Sequence, residues 1–408
     1  MRPCSARGPC DRPRPGQLPI LRGTPPCPTT STPSSVDNFN WLTADDRPAP
    51  RSVRVAPAGL SADRALAFAT AGTALLWRDD YPQACQLLDA MRRRLPPPRG
   101  PLPVAAEFHR RRQHRARVAR LLGSVLVELH PGAQLRLRRA PDVADACREV
   151  YGPLSEPHLV ALRELLGVLN AHRQRKDGIA VDVLGGLRIH PHHGVFAPTR
   201  QDYLQLPATA PLPGPRRTAF DIGTGTGVLA ALLGGRGFDR VVATDADPRA
   251  VACARENLAR LGLAGRVDVQ ERDLFPPGRA DLVVANPPWL PGTPASPAEA
   301  GVYDRRSSMT DRFVRGVADH LTPTGEAWLI CSDLAEHLQL RPAGHIPALA
   351  AAAGLTIRGH ADVRPSTRPS RVDGRDPVAA ARRRERIHLW RLGLSHQRSC
   401  TCSRISSS

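Results

Sequence analysis

The sequence predicts an α/β protein, with a doubly wound, mostly parallel sheet in its second half and a smaller helical domain before that sheet. Two patterns lead to this prediction. In the second half, short apolar runs alternate with helical segments, which is typical of parallel sheets that helices cover on both faces. In the first half, apolar residues recur at three- and four-residue spacings, which predicts amphipathic helices. Residues 108–129 and 157–172 are two of these predicted helices.

The elements of the second half follow one another regularly. The clearest helix spans residues 250–261, because Val251, Ala254 and Leu258 share one face and Pro248 stands at its start. The other predicted elements are a strand over 218–222, a helix over 228–233, strands over 240–243, 267–269, 281–285 and 327–331, and a final antiparallel hairpin over 355–363 and 386–394 that closes one edge.

Composition divides the chain into five parts. Both ends are rich in Pro, Ser and Arg without apolar periodicity, so they cannot bury enough surface to offset chain entropy. In the middle, residues 181–189 are predicted to form a hairpin that turns at Gly185 and Gly186. The predicted parts are a disordered Pro/Arg-rich tail over 1–50, a mainly helical domain over 55–175, a hairpin and connecting segment over 178–206, the sheet domain over 207–394 and a disordered tail over 395–408.

The chain is strongly basic, with 57 Lys and Arg against 38 Asp and Glu and a formal net charge of +19. Such a charge favours an anionic partner such as nucleic acid. Lys176 is the only lysine, however, and the abundance of Arg, Ala, Pro and Gly is typical of GC-rich coding. Arginine on solvated faces is therefore the first interpretation. RNA binding through the arginine-rich segments 110–120 and 364–404 is the alternative.

The cysteines and the N-terminus indicate a reducing, aqueous compartment. The nine cysteines are mostly single, which argues for free thiols, and Cys400 with Cys402 are too few to form a zinc site. The N-terminus lacks the apolar core of a secretory signal, and no stretch approaches the ~20 apolar residues of a membrane span. We expect a cytoplasmic protein that uses neither membrane nor metal, and the oligomeric state stays open.

A glycine-rich loop follows the first strand of the predicted sheet. Residues 221–227 read Asp-Ile-Gly-Thr-Gly-Thr-Gly, and glycines let backbone amides approach a ligand without side-chain obstruction. Ligands of open α/β sheets bind at the carboxyl ends of strands, where this loop stands. A dinucleotide-binding turn prefers the spacing G-x-G-x-x-G. The spacing G-x-G-x-G favours a cofactor without pyrophosphate.

Acidic residues end the next two strands. Asp245 is placed to accept hydrogen bonds from ribose hydroxyls. Asp247 is better explained as the N-cap of the helix that begins at Pro248. Asp273 could accept from an amino group such as that of adenine, with Leu274 or Phe275 bordering the ring. A plain strand-terminating turn explains Asp273 equally well at this point.

The sequence Asn286-Pro287-Pro288-Trp289 is the most informative segment. Consecutive prolines stiffen the turn and remove two amide donors, so the backbone offers carbonyl acceptors only. The Asn286 side-chain carbonyl and the Pro287 carbonyl are suited to accept both hydrogens of an NH2 group. The nitrogen lone pair would then face an electrophile, and Trp289 would stack against a planar substrate. Acceptors that help the nitrogen as it becomes cationic act mainly in the transition state.

In this order, segments 221–227, 244–245, 273–275 and 286–289 resemble the motif series of the Rossmann-like class I N-methyltransferases with an Asn-Pro-Pro-aromatic signature. Within that class the chain is similar to the "methyltransferase small" group, which includes release-factor glutamine and ribosomal RNA guanine-N2 methyltransferases and is related to adenine-N6 enzymes. The resemblance covers roughly residues 190–394. Members of the group usually carry Tyr or Phe where this chain has Trp289.

The resemblance implies S-adenosyl-L-methionine as the cofactor and a role for each motif residue. Catalytic roles fall to Asn286, Pro287 and Trp289. The implied cofactor contacts are Asp221, Gly223, Gly225 and Gly227 in the glycine loop, Asp245 at the ribose, Asp273 and Leu274 beside the adenine, Phe196 at the methionine end, and Asn286, which also holds the substrate nitrogen.

These residues predict methyl transfer to a planar NH2 nitrogen of a macromolecule by direct in-line displacement, without a metal or a covalent intermediate. A glutamine amide of a translation protein and an exocyclic amine of ribosomal RNA present the same group, so both substrates stay open. One alternative is a catalytically inactive nucleic-acid- or protein-binding protein that retains the fold. Another is an NAD-dependent dehydrogenase, which the glycine spacing disfavours.

Overall fold

The computed structural model describes residues 21–22, 36, 38–45, 47–98, 100, 102–294, 299–366 and 376–395. Most of the two predicted tails, 1–50 and 395–408, therefore lies outside the described residues. The chain forms two compact units, one from residues within 1–99 and 111–173, the other from residues within 100–110 and 174–408. Among the described helices, none is both long and apolar enough to cross a membrane.

The first unit contains a seven-stranded sheet in the order β1-β2-β7-β5-β4-β3, with β6 paired to β5. Strands β3, β4 and β5 run parallel, while β7 is antiparallel to β5. The strands are β1 (Leu21–Arg22), β2 (Asn40–Trp41), β3 (Ser52–Val55), β4 (Thr73–Leu76), β5 (Val125–His130), β6 (Gln134–Leu135) and β7 (His158–Ala161). The helices before residue 178 are α1 (Ala62–Thr70), α2 (Tyr81–Arg93), α3 (Val104–Leu122), α4 (Ala144–Tyr151) and α5 (Leu162–Asp177).

The prediction of a helical domain over 55–175 thus missed a sheet. Two predicted helices, 108–129 and 157–172, each merge a strand with a helix, because β5 follows α3 directly and β7 precedes α5 directly. Strand β7 is buried throughout, and β5 is buried at four of its six positions. A short apolar run of this kind cannot be distinguished from a buried helix by periodicity alone.

The second unit confirms the doubly wound, mostly parallel sheet with an antiparallel final strand. Its seven strands have the order β12-β11-β10-β13-β16-β18-β17, and β18 is antiparallel to both neighbours. The sheet strands are β10 (Thr218–Ile222), β11 (Arg240–Asp245), β12 (Val267–Glu271), β13 (Ala280–Ala285), β16 (Leu321–Ser332), β17 (Leu355–Val363) and β18 (Ile387–Leu394). The helices are α6 (Asp202–Thr209), α7 (Val228–Gly235), α8 (Pro248–Arg260), α9 (Ser308–Gly316), α10 (Leu334–His337), α11 (His345–Ala352) and α12 (Pro377–Arg384).

Two small strand pairs stand outside this sheet. The predicted hairpin forms from β8 (Ile179–Ala180) and β9 (Arg188–Ile189), and Gly185 and Gly186 adopt φ angles of 70° and 82° in its connection. The second pair is β14 (Leu290–Pro291) with β15 (Tyr303–Asp304), which run parallel. Strand β14 begins immediately after the Asn-Pro-Pro-Trp segment.

The position of the site follows from the register of the two central strands. Strands β10 and β13 are parallel neighbours, and Ile222 lies opposite Ala285. All six residues of β13 are buried, as expected for a strand covered on both faces. The glycine-rich loop after Ile222 and the turn after Ala285 therefore leave the sheet side by side, at its carboxyl edge.

Candidate active site

Backbone hydrogen bonds tie the glycine-rich loop to the next strand. The amides of Gly223 and Thr224 both donate to the Thr244 carbonyl, each at 2.9 Å. Gly223, Gly225 and Gly227 have φ angles of 72°, 56° and 82°, in the left-handed region that side chains disfavour. The alternating glycines are thus required by the backbone of this turn.

Asp245 connects this loop to the one after β11. Its Oδ2 accepts from the Gly225 amide at 2.9 Å, and its Oδ1 accepts from the Asp247 amide at 3.0 Å. Burial raises the pKa of the Asp245 carboxyl, while these amide bonds act in the opposite direction. Asp247 caps helix α8 by accepting from the Arg249 amide at 2.9 Å, as the sequence predicts.

A cavity of about 330 Å³ lies over these loops. It is lined by residues of the glycine loop, of the loops after β11 and β12, and of the Asn-Pro-Pro-Trp turn. The predicted site residues that line it are Phe196, Gly223, Gly225, Asp245, Asp273, Leu274 and Asn286. One cavity therefore holds both the predicted cofactor loop and the predicted acceptor side chain.

Four predicted site residues are not among those that line the cavity, namely Asp221, Gly227, Pro287 and Trp289. Asp221 is fully buried, and its Oδ2 accepts from the Thr224 hydroxyl at 2.6 Å. Burial raises the pKa of Asp221 to about 7, and the Thr224 hydroxyl opposes that shift. A Cβ on Gly227 would lie 3.2 Å from the Ala254 Cα, so this glycine permits α8 to approach the loop. Asp221 and Gly227 therefore shape the loop from behind.

Asn286 reaches the cavity in an orientation that Trp289 sets. The indole Nε1 of Trp289 donates to the Asn286 Oδ1 at 2.9 Å. An indole N–H is only a donor, so it identifies the oxygen of the amide. The ring itself packs edge-to-face against Tyr203, with centroids 6.2 Å apart, and contacts the cores on both sides of the sheet. Trp289 thus contacts Asn286 directly but is not among the residues that line the cavity.

The acidic residue after β12 has an arginine partner that the sequence analysis did not identify. Asp273 lines the cavity, and its Oδ2 accepts from the Arg312 guanidinium at 2.6 Å. Leu274 has a φ of 62°, and its carbonyl accepts from the Thr244 hydroxyl at 2.6 Å. Phe275 lies away from the cavity and stacks on Phe313. Arg312 occupies the Asp273 Oδ2, which leaves the Oδ1 for a ligand. The adenine role of Asp273 stays a prediction.

Several cavity residues were missed because they are brought in from distant segments. Asp304 stands in β15, and its Oδ2 accepts from the Met309 amide at 2.6 Å. Tyr203 of α6 and Arg312 of α9 complete this side of the cavity. The pairing of β14 with β15 carries Asp304 to the site. In the sequence, the acidic residue Asp304, four residues before the start of α9, was the one sign of a site in this segment.

The residues present fit S-adenosylmethionine. Gly223 has a φ of 72°, which disfavours a side chain, and a Cβ there would lie 2.5 Å from the Met309 Cε, so the loop borders the cavity as bare backbone. Four carboxyl groups and two guanidinium groups line the cavity, which suits a ligand with a sulfonium, an ammonium and ribose hydroxyls. They are Asp245, Asp247, Asp273 and Asp304 against Arg272 and Arg312. The volume lies at the small end of the ~300–1,000 Å³ range of ligand pockets.

Comparison with known families matches residues 186–343 to the model described as "Methyltransferase small domain". The match covers less than half of the chain. The match begins near the β8–β9 hairpin and includes the glycine loop, Asp245, Asp273 and the Asn-Pro-Pro-Trp turn. The predicted resemblance to the methyltransferase small group is confirmed over these residues.

Curated relatives of the domain modify both protein and RNA, as their names say. A release factor glutamine methyltransferase of Cereibacter sphaeroides is 33% identical over 42% of this chain and 62% of its own. A tRNA1(Val) (adenine(37)-N6)-methyltransferase of Bacteroides thetaiotaomicron is 32% identical over 34% of this chain and 61% of its own. The chain thus spans less than two thirds of the length of either relative. Among solved structures, a ribosomal protein L11 methylase of Lactobacillus delbrueckii subsp. bulgaricus overlays 52% of this chain and 87% of its own, at 20% identity and a TM-score of 0.34.

Proposed function

We propose that this protein is an N-methyltransferase that moves a methyl group from S-adenosylmethionine to a planar NH2 nitrogen of a macromolecule. The observation that carries the proposal is the shared cavity, in which Asn286 lies beside the glycine loop and Asp245. The cofactor, when bound, supplies a methyl group activated by a sulfonium. A cytoplasmic location is part of the proposal.

The chain's own residues would contribute mainly by positioning. The loop around Gly223 and Gly225 would hold the cofactor, with Asp245 facing its ribose hydroxyls. The Asn286 Oδ1 has a second lone pair beside the one that Trp289 occupies, and that lone pair would accept a hydrogen from the substrate NH2. Holding the nitrogen in line removes most of the entropic barrier of a bimolecular transfer.

Asn286→Ala tests the catalytic assignment. We expect S-adenosylmethionine affinity within about twofold of wild type by calorimetry, because the cofactor loops are untouched, and a loss of roughly 100-fold or more in turnover. Asp245→Ala should do the reverse and weaken cofactor affinity, since it removes a carboxylate from two loop amides. Asn170→Ala, the same change at an exposed position of α5, is the matched control. Wild-type turnover in Asn286→Ala would refute the assignment.

The substrate class is decided by labelling. The names of the relatives cover a glutamine amide and an adenine amine, which are planar groups with the same two hydrogens. Tritiated methyl transfer into a fractionated lysate, followed by protease or ribonuclease treatment, shows whether the label sits in a translation protein or in RNA. An RNA substrate also requires affinity that falls with salt, because phosphate contacts release counterions.

A catalytically inactive binding protein with this fold is the second candidate. Such a protein would give no labelled product from any fraction, whether or not it binds S-adenosylmethionine. Side-by-side titration with S-adenosylmethionine and NAD separates both of these functions from a dehydrogenase.

A further inference from the structure

The last two strands of the sheet bring three metal-ligating side chains together. Asp362 of β17 lies opposite His388 of β18, and His360 lies two residues before Asp362. Side chains two residues apart on a strand share a face, so all three project from the same side of this ribbon. One ligand atom from each lies within 4.8 Å of the other two. None of the three lines the cavity beside the glycine-rich loop.

The two imidazoles present ring nitrogens to each other, and the second nitrogen of His388 has a carboxylate beside it. The His388 Nδ1 is 2.9 Å from the His360 Nε2, while the His388 Nε2 is 3.4 Å from the Asp333 Oδ2. Asp333 is itself held by the Arg386 amide at 2.7 Å. The Asp333 Oδ2 also lies 3.2 Å from the His337 Nε2. In the tautomer that carries its proton on Nε2, towards this carboxylate, the His388 Nδ1 keeps a lone pair for a metal. This carboxylate–histidine arrangement is the usual support of a metal-binding imidazole.

The remaining two side chains are also held in place. The His360 ring stacks on Trp390 with centroids 4.1 Å apart and an interplanar angle of 26°. The Asp362 Oδ2 accepts from the Arg386 guanidinium. Carboxylates that ligate metals commonly have a hydrogen-bond partner of this kind. The three groups therefore have fixed orientations before any ligand arrives.

We propose that His360, Asp362 and His388 bind a divalent transition-metal ion of the zinc type. The His360 Nε2, the His388 Nδ1 and an Asp362 oxygen would be the protein ligands, with water in the fourth position. Imidazole and carboxylate suit zinc, with ligand distances of about 2.0–2.2 Å. Two ligand atoms on one ion lie at most about 4.4 Å apart at those distances, so the cluster closes with a small side-chain movement. The ion would join β17 to β18.

A plain hydrogen bond between the two imidazoles would also explain their separation of 2.9 Å. A metal-binding experiment distinguishes this explanation from a metal site. Full-length protein without a histidine tag is titrated with Zn²⁺ by calorimetry and with Co²⁺ by visible absorption. We expect one Zn²⁺ per chain and a Co²⁺ spectrum typical of four-coordinate nitrogen and oxygen ligation.

His360→Ala is the decisive variant, because His360 is exposed and its loss should leave the fold intact. We expect Zn²⁺ affinity to fall by at least about tenfold. His345→Ala is the matched control, since His345 pairs with Asp311 at 3.3 Å but belongs to no three-ligand cluster among the described residues. Failure of wild type to bind at about 100 μM free Zn²⁺, or equal affinity in wild type and His360→Ala, would overturn the proposal. Methyl transfer is not the readout, so failure here leaves the proposed function standing.

Discussion

Asp221 is a buried carboxyl group that contacts the glycine-rich loop. Its Oδ2 accepts from the Thr224 hydroxyl, and its Oδ1 is buried without a hydrogen-bond partner among the described residues. Burial raises its pKa from the ordinary 3.8 to about 7. A folded-state pKa above the unfolded one means that the folded state holds the proton more tightly. The stabilisation is complete below about pH 4 and is lost as the pH rises to about 7.

Asp221→Asn should remove this pH dependence. Between pH 4 and 7 the free energy of unfolding of wild type should fall relative to the variant, by up to about 1.4 kcal/mol per pH unit. Urea titrations of both proteins at pH 5 and pH 7 measure the difference. Asp268→Asn, at an exposed position of β12, is the control and should follow wild type at both pH values. Parallel stability curves for wild type and Asp221→Asn would contradict the expected protonation of Asp221.

Trp289→Phe separates the two roles considered for Trp289. Phenylalanine keeps a ring against Tyr203 but removes the N–H that orients Asn286. Loss of one hydrogen bond is worth about 1 kcal/mol, so we expect kcat to fall roughly fivefold with KM nearly unchanged. A kinetic measurement with the identified substrate checks this. A stacking role would instead tolerate Phe, so an unchanged kcat would argue against the orienting role.

At the level of elements, the antiparallel strand β18 is joined to β16 by a partly buried ion pair. The Glu326 Oε1 and Oε2 each accept from the Arg391 guanidinium at 2.8 Å. The Glu326 Oε2 also accepts from the Trp328 indole at 2.9 Å. The paired side chains are only 13% and 18% exposed, so solvent screens them little. This pair fixes β18 at the place where the sheet changes from parallel to antiparallel.

Glu326→Gln should destabilise this edge of the sheet. Gln keeps one acceptor but loses the charge, which leaves the Arg391 guanidinium without its counterion. Charged hydrogen bonds contribute about 1.5–3 kcal/mol, so we expect the free energy of unfolding to fall by about 2 kcal/mol. Denaturant unfolding measures it, with Glu271→Gln at the exposed end of β12 as the matched control. A change no larger than that of the control would show that the pair contributes little.

At the scale of the molecule, the second unit includes a distant piece of chain. Residues 100–110 belong to this unit, although the rest of it begins at residue 174. Phe108 is 2% exposed and packs with Leu290, Tyr303 and other residues of the unit. Its ring lies 6.4 Å from that of Tyr303, which precedes the cavity residue Asp304. The start of helix α3 thus supports the strand that carries Asp304.

Phe108→Ala should weaken both stability and cofactor binding. Truncation of a buried Phe costs about 3–5 kcal/mol, and the loosened β15 should displace Asp304 from the cavity. Unfolding by urea and calorimetry with S-adenosylmethionine measure the two effects. Leu102→Ala, at an exposed position of the same segment, should change stability by no more than about 0.5 kcal/mol. Wild-type stability in Phe108→Ala would contradict the packing of Phe108 against Leu290 and Tyr303.

The sequence alone was sufficient for the sheet of the second unit and for most of its cavity. Gly223, Gly225, Asp245 and Asn286 were predictable because a parallel sheet places the residues after each strand at one edge. Each of these residues lies within a few positions of the end of its strand, so the local sequence was enough to place it. Asp247 was predicted as a helix cap for the same reason, from its position before Pro248.

Tertiary structure decided the features that depend on pairing between distant segments. It gave the Trp289 indole N–H a partner in Asn286 and brought Arg312 to Asp273. It also placed a sheet among the helices of the first unit. Local periodicity indicates which residues are apolar and on which face they lie. It does not indicate which strand or side chain each residue will contact, because those contacts depend on the packing of the whole chain.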